Sequence, residues 1–423
     1  MKETRQTIQV HERVSLVKGI PLSIQHTFAM FSASVLVPWL FGINPAIVLL
    51  MNGIGTLIFI FVTQGKAPAY LGSSFAFLSP TFLILANPNM GYQYALGGFV
   101  VSGLIFCAVA GIIKLVGIDW IDILLPPAAM GPIVALIGLE LAGTAASNAG
   151  LILNETYTEI NPKFVIVFLI TLLFAVFGQV LFKGFMAAIS ILLAICIGYV
   201  AALIAGLVDF IPVGEAQFFA LPNFQTPIFD MSAILIIIPA SLVVISEHIG
   251  HQVVTSKIVG KDLIKDPGLH RSLLGDGIST TLSGFFGAVP TTTYGENIGV
   301  MAVTRVYSVW VIGGAAVFSI LLAFIGKASV LIQTIPNPVM GGVSFLLYGM
   351  IAASGLRILV DRKVDYSRAR NLSLSAVVFV TGLSGAFIQI GEVQLKGMCL
   401  ATIVGMVLSF IFYIFDKFGF SND

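Results

Sequence analysis

The chain has 423 residues, 57% of them hydrophobic and only 10% charged, with a mean hydropathy of +1.02. A soluble domain carries about 25% charged residues, so this composition cannot cover a water-facing surface and excludes a soluble enzyme. The 21 basic residues are balanced by 20 acidic ones, which leaves no basic footprint for nucleic acid.

Long apolar runs read instead as an all-α polytopic membrane protein, each crossing needing about 20 mostly apolar residues. After a polar stretch over 1–20, segments one to seven fall at 21–42, 46–64, 67–86, 93–115, 121–143, 164–182 and 185–208. Segments eight to fourteen fall at 231–256, 272–287, 289–305, 308–326, 330–355, 371–388 and 396–416. Segment one is not read as a cleaved signal, because no small-residue cleavage site follows a short apolar core. Residues 1–20 and 417–423 are both expected in the cytoplasm. With that orientation every basic residue except Lys163, Lys327 and Lys396 falls on the cytoplasmic side, as the positive-inside rule requires.

Fourteen segments divide into seven and seven, and an odd unit repeated has inverted topology. Three matches fall at equivalent positions. Gln25-His26 of segment one answers Glu247-His248 of segment eight. Pro126-Pro127-Ala128-Ala129-Met130-Gly131 of segment five answers Pro336-Asn337-Pro338-Val339-Met340-Gly341 of segment twelve. Gly72-Ser73-Ser74-Phe75 of segment three answers Thr291-Thr292-Thr293-Tyr294-Gly295 of segment ten. The last two stretches are poor helices, so segments three and ten are each expected as a short β-strand plus a half-helix, the strands pairing. Interrupted segments of this kind mark a transporter's binding site, because free N–H groups at membrane depth are tolerated only against protein or a cavity.

Ionisable residues inside the segments are functional candidates by default. Glu140, Glu247, Asp276 and Glu296 qualify, as do His26, His248 and His251. Glu247 and His251 are four apart and share a helix face, with His248 rotated about 100° away. No Lys or Arg lies mid-segment to neutralise the carboxylates. Glu140 is expected to reach the external interface, Asp276 either to act or to cap a helix end, and His26 and His248 either to act or to hydrogen-bond across the bundle. Glu247-His248-Ile249-Gly250-His251 is not the zinc protease pattern, whose histidines are four apart around a glutamate base. Cys107, Cys196 and Cys399 sit singly in apolar runs and supply no disulfide framework or thiolate metal site.

The run from Tyr294 to Arg305 resembles the signature of the nucleobase–ascorbate transporter family, [Q/E/P]-N-x-G-x-x-x-x-T-[R/K/G], and Gln25-His26 resembles that family's segment-one motif. The resemblance extends from about residue 20 to 415 and takes in Asn52-Gly53-Ile54-Gly55-Thr56, Ala69 to Phe75, Asp266 to Arg271 and Lys363-Val364-Asp365-Tyr366. It implies a uracil–proton symporter of the bacterial plasma membrane that works by alternating access. A core domain (21–115 and 231–326) would move against a gate domain (121–208 and 330–416). By the same resemblance the substrate is held by Glu247 and Glu296 and by backbone N–H groups at Phe75 and Gly295. His251 assists, and Ala33 and Tyr348 line the pocket. Glutamate at 296 is the choice of uracil carriers, where xanthine and purine carriers have glutamine. No cofactor beyond the proton gradient is implied; the partners are uracil, protons, lipid and, by resemblance alone, a second copy of the chain.

The chemistry agrees independently. A protonated glutamate offers a donor beside an acceptor and complements a cis-amide edge of uracil with two hydrogen bonds. An ionised one has acceptors only. Binding at a dry site therefore favours a protonated glutamate and links uracil to a proton, reciprocally. The proton is assigned to Glu247 with His251, with Glu296 and His26 as further candidates. The rivals are xanthine or urate on the same fold, a sulfate- or bicarbonate-type anion carrier, which would want a basic site, and a metalloprotease.

Overall fold

A computed structural model describes residues 7–153, 158–390 and 393–420, so Lys2 and Arg5 of the N-terminal segment and the last three residues lie outside the described residues. The chain is mostly helical, and eight of the described helices are long and apolar enough to cross a membrane. Local chemistry sets where they start. Asn44, Asn161 and Asp230 cap three of them and Ser308 the shorter helix Val309–Ala323, accepting hydrogen bonds from Ala46, Lys163, Ala233 and Trp310 N–H at 2.9–3.2 Å, the role their short polar side chains favour. Gly260 and Gly287 end segments eight and nine in left-handed conformations (φ 70° and 92°) that a side chain would strain.

Segments one, two and four are the helices Leu16–Leu40, Pro45–Val62 and Tyr92–Val116; eight and nine are Met231–Val259 and Leu269–Phe286. Segment three is a strand, β1 (Leu71–Ser73), then a tight turn of helix over Phe75–Phe77 and the helix Leu78–Leu85. Segment ten is a strand, β2 (Thr291–Thr293), followed by the helix Gly295–Thr304. The two strands pair antiparallel, Leu71 with Thr293 and Ser73 with Thr291. So short a ladder leaves edge groups that hydrocarbon would not satisfy, and neighbouring helices supply hydroxyls instead. Leu71 N–H donates to Thr56 Oγ1 at 2.9 Å, and Thr291 N–H to Thr280 Oγ1 at 3.2 Å.

Boundaries differ where proline intervenes. Segment five was expected at 121–143, but the helix Asp119–Leu124 stops before Pro126 and a new one runs Pro127–Glu140. Pro126 lacks an N–H and forces Leu125 out of the helical region. Segment twelve likewise starts after Pro336, as Asn337–Asp361, and the residues before it form a separate helix, Gly326–Gln333. Segment thirteen ends at Leu383, because β3 (Phe387–Ile390) pairs antiparallel with β4 (Val393–Lys396) where the helix was expected to continue. Segments six, seven and eleven contain the helices Pro162–Leu181, Ser190–Ile204 and Val309–Ala323; fourteen is Gly397–Lys417.

Two sets of packing dominate. Segment nine lies against two and four, eight against four, and eleven against one and two. Segment twelve lies against five and six, and thirteen against five and fourteen. Small residues permit the close crossings. A Cβ at Gly277 of segment nine would sit 2.9 Å from Cys107 N and 2.9 Å from Gly103 O in segment four. Gly277→Val should therefore push these helices apart and destabilise the protein by about 1–3 kcal/mol. The check is a thermal melt in detergent, in which an unchanged midpoint would disprove the close-packing argument.

Candidate functional site

Segment eight presents Glu247 and His251 on one face, Oε1 to Nε2 4.0 Å apart, with both side chains partly accessible. His251 turns its other ring nitrogen, Nδ1, to Thr293 Oγ1 of β2 at 3.3 Å. Just past Thr293, Gly295 opens the half-helix of segment ten so close to His251 that an added Cβ would lie 3.4 Å from Nε2. Glu296 follows in the first turn of that half-helix. Phe75 sits where three hydrophobic clusters of the molecule meet, its ring 6.3 Å from that of Tyr294. The helical turns at Phe75 and Gly295 both begin without a side-chain cap, so their first N–H groups remain available as donors. The site thus gathers two carboxyls, an imidazole and two helix N-termini around the β1–β2 pair.

The other expected residues are placed less directly. Tyr348 is buried beside Ser344 in segment twelve, and neither hydroxyl completes a hydrogen bond of good geometry. Ala33 falls in segment one, but its side chain lies outside the described residues. His26 is fully buried and is joined to segment ten through Asn297. Tyr70 N–H, which can only donate, fixes Asn297 Oδ1 at 3.2 Å. The Asn297 amide nitrogen then donates to His26 Nδ1 at 3.2 Å, so the ring proton sits on Nε2.

Several features were not anticipated. Thr293 bridges two histidines, its Oγ1 also lying 3.4 Å from His248 Nδ1. Asp276 does not cap a helix end: it is fully buried and its Oδ2 stands 2.7 Å from His248 Nδ1. Glu140 is tied to another segment: its Oε2 accepts a hydrogen bond from Met398 N–H at 3.0 Å, in the first turn of segment fourteen. Where segment one ends, a cavity of about 630 Å³ opens between Trp39, Leu40 and Phe82 on one side and Thr144, Asn148 and Asn337 on the other. Trp39 Nε1 donates across it to Ile335 O at 3.3 Å.

A paired-strand site between interrupted segments is a transporter's arrangement, and the family pattern described as the permease family matches residues 17–391. The chain belongs to this family, the nucleobase–ascorbate transporters. It is a multi-pass membrane transporter and not an enzyme. The uracil permease of Escherichia coli (strain K12) is 59% identical, aligned over 97% of this chain and 94% of that protein. The uracil permease of Paenibacillus larvae is 57% identical over 98% and 99%. Among solved structures, a murine Solute Carrier 26 anion transporter in the inward-facing state matches with a TM-score of 0.72 at 11% identity, covering 96% of this chain and 70% of that one. The transmembrane domain of a cyanobacterial bicarbonate transporter matches at 0.65 and 15%, covering 95% and 100%. At such identities the likeness speaks to the fold alone.

Proposed function

We propose that the chain is a proton-coupled uracil symporter of the bacterial plasma membrane, importing uracil by alternating access. The observation that carries the reading is the placement of Glu247 and His251 against the uncapped half-helix start at Gly295, one residue before Glu296, with the uncapped turn at Phe75 following the paired strand. Glu247 and Glu296, when protonated, pair with the N–H and carbonyl edge of uracil, and the N–H groups at Phe75 and Gly295 donate to its carbonyls. Ala33 and Tyr348 line the pocket. The proton is carried by Glu247 with His251, and Glu296 and His26, the latter bonded to Asn297, are further candidates. The names of the relatives support uracil as the substrate.

Fourteen segments in two inverted repeats of seven supply the machinery, with both termini in the cytoplasm. The pairing of β1 with β2 across the two halves supports the repeat. The two packing sets support a core domain (21–115 and 231–326) working against a gate domain (121–208 and 330–416). The Trp39–Ile335 bond would then close the external side between core and gate. Lipid surrounds the assembly, and a homodimer follows from the family resemblance. Solved structures of this fold include anion carriers, but two carboxyls with no Lys or Arg bonded to them among the described residues suit a neutral lactam and not an anion.

The test is labelled uracil uptake into proteoliposomes under an imposed inward proton gradient. One pH unit is worth about 1.4 kcal/mol per proton, so one-to-one coupling sustains roughly tenfold accumulation per unit, outside acidic. Uptake is expected to rise as external pH falls and to collapse when a protonophore is added. Accumulation indifferent to the protonophore would remove proton coupling; absence of uracil uptake with xanthine uptake present would remove the substrate.

A further inference from the structure

The residues just ahead of segment one take no part in the chemistry above, yet they are held firmly. From Ile8 to Val10 the chain runs parallel to the joint between segments ten and eleven, Ile8 opposite Val306. Ile8 N–H donates to Arg305 O at 3.0 Å, and Ile8 O and Val10 O accept from Tyr307 and Val309 N–H at 2.8 and 2.9 Å. Ser308, which caps segment eleven through Trp310 N–H, donates its hydroxyl to Glu12 O at 2.6 Å. The Arg13 guanidinium stands 4.2 Å from the centre of the Trp310 ring, within cation–π range. Val10 is 1% exposed and belongs to the buried cluster that also holds Leu71 of β1 and Tyr294, Ile298 and Met301 of segment ten. Ordering Ile8 to Arg13 costs backbone entropy, which these bonds and the burial of Val10 offset.

The arm grips the far end of the half-helix Gly295–Thr304. That helix is only about 15 Å long, and non-helical backbone bounds it on both sides. Tyr294 is extended at its start, and Arg305 at its end is left-handed, with φ 59°, a conformation that disfavours any residue with a Cβ. Arg305 N–H bonds Met301 O at 2.8 Å, and its carbonyl is the acceptor of Ile8. The arm is thus bonded at the residue where the half-helix stops, while the β1–β2 pair holds the strand that leads into its start. Along its sides the half-helix meets segments one and eight and the short helix Phe185–Ala188 that opens segment seven.

A short helix moves as a rigid element and carries a displacement of its last turn to its first. The first turn here bears the Gly295 N–H and Glu296. Groups that must meet a ligand in one geometry lose function steeply when displaced.

We infer that the arm Ile8–Arg13 is a positioning element of the uracil site: by fixing Arg305 and Ser308 it sets the placement of the half-helix, and so of Gly295 N–H and Glu296. The inference rests on the uracil reading of that site and adds residues that never touch the substrate. Among the described residues the bonds of the arm run to segments ten and eleven, both in the core domain, so it travels with the core and does not latch core to gate. Loosening the arm should therefore weaken binding and spare the transport step. By linkage the effect is reciprocal: if the docked arm tightens uracil, bound uracil tightens the docking of the arm by the same factor.

The test uses Ile8→Pro, which removes the donor to Arg305 O and keeps an apolar side chain, beside Ile8→Val, which retains that donor. Wild type must first bind uracil in a detergent titration; if it does not, the uracil reading itself fails before the variants are compared. Ile8→Pro is expected to weaken the uracil Kd roughly tenfold, an ordinary coupling between sites. The KM for uptake should rise in step, with the maximal rate and the melting midpoint of the uracil-free protein near wild type. Ile8→Val should stay within about twofold throughout. In wild type, saturating uracil should slow hydrogen exchange at the Tyr307 and Val309 amides, whose partners are arm carbonyls, by roughly the same tenfold. A wild-type Kd in Ile8→Pro overturns the inference, as does a lowered midpoint with an unchanged Kd, which marks a merely structural arm. Exchange at Tyr307 and Val309 that uracil leaves unchanged also overturns it, and that measurement decides alone should Ile8→Pro fail to fold.

Discussion

Glu247→Ala is expected to lower uracil uptake roughly a hundredfold, because it leaves two polar groups of the bound uracil without partners at about 1–3 kcal/mol each. Glu247→Gln separates binding from coupling. A glutamine side chain presents the donor and acceptor of a protonated carboxyl but cannot release a proton. Its uracil Kd should stay within roughly tenfold of wild type and lose its pH dependence, while accumulation against a gradient disappears. Isothermal binding in detergent beside gradient-driven uptake in liposomes reads both quantities. Robust concentrative uptake by Glu247→Gln would move the transported proton to another residue. The location of Glu247 makes the expectation strong, since His251 at 4.0 Å is the one ring in ion-pair range of it among the described residues.

What was legible in the chain was legible for local reasons. Segments three and ten announce their strands because Gly72-Ser73-Ser74 and Thr291-Thr292-Thr293 have neither helix propensity nor helical periodicity within otherwise apolar runs. The i,i+4 relation of Glu247 to His251 follows from helix geometry alone. The ladder's stability was not legible, since its edges depend on Thr56 and Thr280 from other segments. The same holds for His248 and Asp276, 28 residues apart, and for Glu140 with Met398, 258 apart, which no spacing rule connects. Pro126 was visible punctuation, whereas Phe387-Ile388-Gln389-Ile390 is almost wholly apolar, so apolar content alone misplaced the ends of segments five and thirteen. Hydropathy finds membrane residence well and boundaries poorly, because a hairpin or a broken helix can be as apolar as a continuous one.

Gly72→Val tests whether the β1–β2 pair is the scaffold of the site. Gly72 pairs with Thr292 at the centre of the ladder, and a Cβ there would come within 2.5 Å of the Tyr294 ring. Tyr294 is anchored by its hydroxyl, which donates to Ser73 O at 3.1 Å, and it is the residue from which the half-helix bearing Glu296 starts. The ring has to move, and with it the first N–H groups at Gly295 and the carboxyl one residue on. A displacement near 1 Å at a positioned group costs about a hundredfold in function, so uptake by Gly72→Val should fall by roughly that factor. The overall fold should survive, because segments two, four and nine pack chiefly on one another and only secondarily on the strand pair. A near-wild-type melting midpoint combined with lost uracil binding is the expected signature. If uptake persists at the wild-type level, the strand pair is only filling space, and the donors that hold uracil lie on some other element. Strand geometry and carboxyl chemistry are thus tied at one residue: a single methyl-bearing carbon, placed where no ionisable group stands, should silence the site as thoroughly as removing Glu247 does.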